Sequence, residues 1–268
     1  MIEIKNLCFT YPGHQKDDRV LFNTEINFEK QKFYSIVGPN GSGKSTLARL
    51  INGILYPYTG EIIVDGIKVE EKNFEAIRQK VGYIFQNPEN QLVSTLVETE
   101  VAFALENLCI PRIEMHKRVD DILEFVELLD CKGKPPHMLS GGQKQRLAIA
   151  SIVVFEPDYI IFDEPTSMLD SRGKKEVNYL IKKLHREGKG VIMITHDPAE
   201  IILSDTVVVM NNGKVAAQFT PEEFFTKPEN YKWADLKSIP EYIKIGYELG
   251  MKKFTREEVA CEYVRQYQ

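Results

Sequence analysis

The chain has 268 residues, 43% of them hydrophobic and 27% charged, and a formal net charge of −5. That length supports one large core with an appendage, and the acidic balance argues against a nucleic-acid binder working through a broad basic face. No uncharged apolar run approaches the roughly 18 residues of a spanning helix, so any membrane role must pass through a partner. The four cysteines, Cys8, Cys109, Cys131 and Cys261, include no C-x-x-C pair and read as reduced, mostly packed thiols of a cytosolic protein.

The chain opens on a strand-like alternation, Ile2 to Phe9, which reads as no signal peptide. A polar turn follows over 12–18. Short strands around Thr24–Phe28 and at Phe33–Val37 then lead into Gly38-Pro39-Asn40-Gly41-Ser42-Gly43-Lys44-Ser45-Thr46. This stretch fits G-x-x-x-x-G-K-[ST] between a strand and a helix, Leu47–Ile51, which is the context a phosphate loop requires. Its glycines let successive N–H groups curl inward into an anion nest at a helix N-terminus. Lys44 is placed to reach β- and γ-phosphates, and the Ser45 hydroxyl to bind Mg²⁺. The competing reading is a Gly-rich turn with a surface lysine.

Further along, Glu61–Val64, Asp65-Gly66 and Ile67–Val69 predict a hairpin with Asp-Gly as its turn. Val81–Phe85 predicts a buried strand. From about 95 to 130 the period becomes helical, over Val97–Leu105 and Val119–Leu129, punctuated by Pro111 and Pro135-Pro136. Helix Gln143–Phe155, strand Tyr159–Asp163, helix Arg172–Arg186 and strand Val191–Thr195 then alternate, as in a parallel sheet with crossover helices. Val207–Met210 and Lys214–Ala216 flank Asn212-Gly213 as a closing hairpin. From about Pro221 the chain turns aromatic and charged, with Trp233, Tyr242, Tyr247 and Phe254, and predicts a small helical extension. The expected fold class is α/β: a P-loop ATPase with a parallel-sheet core, N-terminal antiparallel strands and a helical insert at about 95–138. The expected domains are residues 1–221 and an extension over 222–268.

Two more motifs carry chemistry. Strand Tyr159–Asp163 ends on two acids, Asp163 and Glu164, and carboxylates closing an apolar strand need partners. After a phosphate loop they read as a Mg²⁺ ligand, direct or through water, and as the base or orienter of an attacking water. Leu139-Ser140-Gly141-Gly142-Gln143 caps a helix with serine, and its glycines permit close approach of another molecule. It reads as a second anion site, though alone it could be an ordinary capped helix.

Together these motifs resemble those of the ATP-binding cassette (ABC) family. Residues 38–46 look like its Walker A motif, 139–143 its LSGGQ signature and 159–164 its Walker B motif. Asp170 looks like its D-loop, His196 its switch histidine, Gln86 its Q-loop and Tyr11 the aromatic that stacks on adenine. Gln86 joins Ser45 and Asp163 as a Mg²⁺ contact in this scheme. A narrower resemblance, over Phe85-Gln-Asn-Pro-Glu-Asn-Gln-Leu-Val93 and Thr95–Phe103, is to the ATPase subunits of energy-coupling factor transporters, including the cobalt-importer type.

The resemblance implies ATP and Mg²⁺ as cofactors, with Lys44, Gln86, Glu164 and His196 catalytic. It implies a dimer with a second ABC ATPase subunit, the same or related, in which each signature completes the partner's ATP site. It implies an integral membrane coupling subunit and a substrate-binding membrane subunit, the cytoplasmic membrane face as location, and no nucleic acid. Glu89, Glu98 and Glu100 are plausible acceptors for arginines of the membrane subunit, or else a solvated acidic face. The C-terminal extension is expected to aid dimerisation. The remaining histidines, His14, His116, His137 and His185, read as surface residues. The rival readings are a conventional ABC transporter ATPase, a soluble ABC ATPase acting on nucleic acid or ribosomes, and a non-ABC P-loop enzyme.

Overall fold

The computed structural model describes every residue except 14–18, 57–58, 107, 109, 233–235, 237–238 and 268. His14, Cys109 and Trp233 therefore lie outside the described residues.

The alternating N-terminal strands, β1 (Ile2–Phe9) and β2 (Leu21–Phe28), pair antiparallel. β3 (Phe33–Val37) leaves them to enter a second sheet, and the phosphate loop leads from it into α1 (Lys44–Ile51). β4 (Thr59–Val64) and β5 (Ile67–Lys68) form the expected hairpin, with Asp65 at φ +48° and Gly66 at φ +81° as left-handed turn residues. Next come α2 (Phe74–Lys80), β6 (Val81–Ile84) and the insert helices α3 (Val97–Glu106) and α4 (Arg112–Phe125). The crossover series is α5 (Gly141–Val153), β7 (Tyr159–Asp163), α6 (Ser171–Arg186), β8 (Gly190–Ile194) and the short α7 (Pro198–Ile201). β9 (Thr206–Asn211) and β10 (Lys214–Phe219) close the sheet, and α8 (Pro221–Thr226), α9 (Pro228–Lys232), α10 (Glu241–Glu248) and α11 (Arg256–Tyr267) finish the chain.

The antiparallel sheet has the order β2-β1-β4-β5, and the larger sheet β10-β9-β3-β8-β7-β6. β3, β6, β7 and β8 are buried at every residue and pair in parallel, as expected of strands covered on both faces. The order matters for the site. β3 and β7 flank β8, with Ile36 and Asp163 both paired to Ile194. The loops leaving these three strands thus emerge side by side at their C-terminal ends, the usual ligand position in an open α/β sheet.

Several expectations shift. The second insert helix starts at Arg112, not Val119, and stops at Phe125, before Glu127 turns left-handed at φ +57°. The signature helix starts at Gly141, because Ser140 is its N-cap. Cys131 is buried as expected, but Cys8 is only half-buried and Cys261 is exposed. His185 is not a surface residue: its ring packs edge-on to Phe33 at 5.6 Å, and Nε2 lies 3.7 Å from Asp205. In the extension, Phe224, Phe225, Ile243 and Phe254 are buried in the same core as Ile201, Leu203 and Val207. Lys253 also pairs with Asp205, and Lys175 on α6 with Glu257 at 2.7 Å.

Candidate functional site

The phosphate loop needs its glycines for reasons of space as well as conformation. Gly38 sits at φ +147°, where a Cβ would fall 2.0 Å from the Met210 carbonyl oxygen. Gly43, the residue before α1, sits at φ +97° with a Cβ position 2.7 Å from Leu21. The loop therefore rests directly on β2 and β9. Lys44 Nζ donates to the carbonyls of Gly38 at 2.8 Å and Pro39 at 2.9 Å, folded over its own loop. Burial lowers the pKa of its ammonium, while Glu164 and Asp163 pull it back up. Ser42 Oγ is buried with no partner. Asn40 and Gly41 are exposed at the tip, and Thr46 Oγ1 lies 3.0 Å from Tyr11 Oη. Tyr11 packs edge-on to Phe9 at 5.0 Å.

Opposite this loop, Ser45 Oγ donates to Asp163 Oδ1 at 2.8 Å. The other oxygen of Asp163 accepts from Tyr83 Oη at 2.6 Å and lies 3.8 Å from Arg49. Burial and the adjacent Asp163 push the Tyr83 phenol pKa well up, so it stays a donor. Glu164 is a non-glycine residue at φ +51°, a strained conformation costing about 1–3 kcal/mol, and its N–H donates to Ile194 O at 3.0 Å. Its Oε2 accepts from Gln86 Nε2 at 3.0 Å, and Oε1 lies 3.3 Å from His196 Nε2. That histidine nitrogen is buried and makes no hydrogen bond. The structure therefore brings Lys44, Ser45, Gln86, Asp163, Glu164 and His196 together from four separate loops.

The donor set fits ATP. A lysine satisfied only by its own loop, an orphaned serine hydroxyl and an orphaned imidazole nitrogen all await acceptors around one nest. It also fits Mg²⁺, which keeps several waters and is commonly held by one or two protein oxygens plus substrate phosphates. Ser45 and Asp163, hydrogen-bonded to each other at 2.8 Å, would supply that pair, and Gln86 bonds to the adjacent Glu164. Among the described residues no group of three or more His, Cys, Asp or Glu forms a metal cage of its own.

The signature lies elsewhere. Ser140 and Gln143 form a reciprocal capping box, with Gln143 N–H donating to Ser140 Oγ at 3.3 Å and Ser140 N–H to Gln143 Oε1 at 2.9 Å. Leu139 is buried behind it. The groove beside it is lined by Ser140, Gly141, Gly142, Gln143, Met168 and Asp170, and by no residue of 38–46. Asp170 caps α6 by accepting from Gly173 N–H at 2.7 Å. Gly142 leaves room for Gly173, whose Cα a Cβ at 142 would meet at 3.1 Å.

Three partners escaped the sequence reading. Tyr83 and Arg49 hold Asp163, and Glu200 is buried against Thr166 and Thr195. A buried tyrosine hydroxyl in strand Val81–Phe85 was the one available signal, because it must find a partner. Conversely, Glu100 is buried and accepts from the N–H groups of Val93 at 2.9 Å and Ser94 at 2.6 Å, so it is no arginine acceptor. Glu89 pairs with Lys144, and Glu98 lies 3.7 Å from Lys132.

A strand-bound phosphate loop, with an acid pair ending another strand of the same sheet, defines a P-loop ATPase fold. Comparison with known proteins agrees. Residues 21–167 match the family described as ABC transporter. The chain is 45% identical over 252 residues to the energy-coupling factor transporter ATP-binding protein EcfA1 of Caldanaerobacter subterraneus subsp. tengcongensis, covering 93% of this chain and 91% of that protein. Among solved structures it resembles CbiO1 of Clostridium perfringens, described as part of the ABC transporter complex cbiONQ. There the TM-score is 0.76 and identity 35%, over 93% of this chain and 98% of the other. It also resembles the ATP-binding cassette MJ0796 in a dimeric, post-hydrolysis state bound to ADP and Pi, with TM-score 0.74 and 30% identity over 82% and 99% of the two chains. The chain belongs to the ABC transporter family, among the ATP-binding subunits of energy-coupling factor transporters.

Proposed function

We propose that this chain hydrolyses ATP as one half of a nucleotide-bridged ATPase dimer and drives uptake of a vitamin or metal micronutrient through a membrane coupling subunit. One observation carries the reading. The catalytic groups converge at one end of the sheet, while the signature opens into a groove that none of them lines. A site so divided is completed by a second copy or a related ATPase, and the dimeric state of MJ0796 supports this.

In this reading Lys44 gives up its two loop carbonyls for phosphate oxygens, and the nest N–H groups take the remainder. Bound Mg²⁺, held by Ser45, Asp163 and Gln86, would supply charge neutralisation on the phosphates. Glu164 accepts the proton of the attacking water, and His196 Nε2 donates to the γ-phosphoryl oxygens. Gln86 and His196 flank the Glu164 carboxylate, so both report whether the base is engaged. The partner's Ser140 and signature N–H groups close the site and exclude water.

Among the described residues no helix is long and apolar enough to cross a membrane. In this reading the chain works docked to its membrane partner at the cytoplasmic face. The groove lined by Ile54, Arg78, Phe85, Gln91, Leu108 and Ile152 suits a partner helix beside the Gln86 loop. Glu89 and Glu98 remain acceptors for a partner's arginines, at the expense of their present lysines. The exposed Tyr263 and Val264 of α11 are the part of the extension suited to a dimer contact.

Glu164→Gln tests the chemistry. It should retain ATP binding and lose turnover by about 10²–10⁴-fold, the usual worth of a general base. Near-normal turnover would remove Glu164 from that role.

A further inference from the structure

Glu200 is a carboxylate with 1% exposure and, among the described residues, no ion-pair partner, a costly arrangement that requires a purpose. Its two oxygens are taken by two hydroxyls from different loops: Oε1 by Thr166 and Oε2 by Thr195. Thr166 follows Glu164 by two residues, and Thr195 immediately precedes His196. Thr195 Oγ1 donates to Glu200 while accepting the Asp197 N–H at 2.9 Å, and an ionised carboxylate can only accept from it. Burial raises the Glu200 pKa, while the Thr166 and Thr195 hydroxyls favour its ionised form.

We propose that Glu200 is a positioning residue for hydrolysis. Its carboxylate ties the loop after the general base to the loop before the switch histidine, and so sets the spacing of Glu164 and His196, now 3.3 Å apart. This rests on the roles given to those two residues above. A hydroxyl–carboxylate–hydroxyl bridge has a fixed length, and misplacement of a catalytic group by about 1 Å can cost about 10²-fold. The bridge acts without touching nucleotide, so it should alter kcat and leave ATP affinity alone.

The test uses the full chain with Glu200→Ala and Glu200→Gln. Four properties are measured: melting temperature, ATP affinity, kcat, and the imidazole NMR resonances of His196. Glu200→Ala should lower kcat about 10–100-fold, leave ATP affinity within about 2-fold, and shift the His196 resonances. Glu200→Gln should restore most of kcat, because its amide oxygen can accept from Thr195 while its NH₂ donates to Thr166 Oγ1. In a His196→Ala background, Glu200→Ala should cost no more than about 2-fold further. His196 resonances unmoved by Glu200→Ala, or losses that multiply in the double variant, would overturn the proposal. Should Glu200→Ala not fold, Thr195→Val and Thr166→Val each delete one arm at near-constant volume, and unchanged resonances in both would overturn it equally. A wild-type chain without ATPase activity both alone and mixed with the ATPase that co-purifies with it would instead refute the functional reading, while the His196 comparison still judges the bridge.

Discussion

Asp163 shows how little of this site any single residue makes alone. Its two oxygens are held by Ser45 and Tyr83 with Arg49 nearby, so its direction is set before any ligand arrives. Tyr83→Phe removes one of those holds and leaves the strand packed. A hydrogen bond to a charged group is worth about 1.5–3 kcal/mol. The expected result is a rise of about tenfold or more in the Mg²⁺ concentration for half-maximal activity, with little change in melting temperature. A metal titration checks it, and an unchanged midpoint would mean Ser45 and Arg49 suffice. Lys44→Ala should abolish ATP binding, read with a fluorescent nucleotide, while the chain stays folded despite two lost loop bonds.

Which residues could be read in advance follows from the range of the forces. Gly38, Gly43 and Lys44 are legible because a turn, a cap and a phosphate nest are local requirements. Tyr83 and Glu200 are not, because their roles arise where β6 and β8 come to flank β7, far apart in sequence. Glu100 misleads for the opposite reason. An acid in the first turn of a helix looks solvated, yet the loop before α3 folds back and turns its N–H groups onto it.

At the scale of elements, α5 and α6 matter most, since the signature and Asp170 sit at their N-termini and Gly142 and Gly173 let the two helices touch. Ser140→Arg should block hydrolysis while leaving ATP affinity of the isolated chain nearly intact, because no phosphate-loop residue lines its groove. Equal loss of affinity and turnover would place the signature in its own chain's site. The insert depends on Glu100. Glu100→Ala should cost about 1–3 kcal/mol by orphaning two backbone N–H groups, measured by urea unfolding. A charge reversal at this position would therefore report on folding, and Glu98→Lys alone is the cleaner probe of membrane-subunit docking. The insert's helical period was plain in the sequence. Its boundaries were not, because Arg112–Lys117 offers only Ile113 and Met115, two residues apart, which makes no helical stripe to count.

For the whole molecule, the extension's core residues bind it to its own ATPase domain, so truncation at about 222 would strip the core as well as any dimer contact. Asp205 reports that docking. Burial would raise its carboxyl, but Lys253 and the Phe33 N–H outweigh this and hold the folded pKa below the ordinary value. A group depressed on folding contributes stability that is complete above its unfolded pKa, about 3.9, and is lost as pH falls through the folded pKa. The stability gap between wild type and Asp205→Asn should thus be full at neutral pH and close on acidification below about pH 4. A gap unchanged at acid pH would mean the aspartate acts only through packing.

The central claim is that ATP bound at this chain's phosphate loop is completed by a signature from a second chain. The direct measurement is sedimentation of Glu164→Gln, alone and mixed with the ATPase that co-purifies with it, without nucleotide, with ADP and with Mg²⁺-ATP. The account predicts association with ATP alone, abolished by adding Ser140→Arg to both chains. A chain saturated with ATP that stays monomeric in both settings would contradict it.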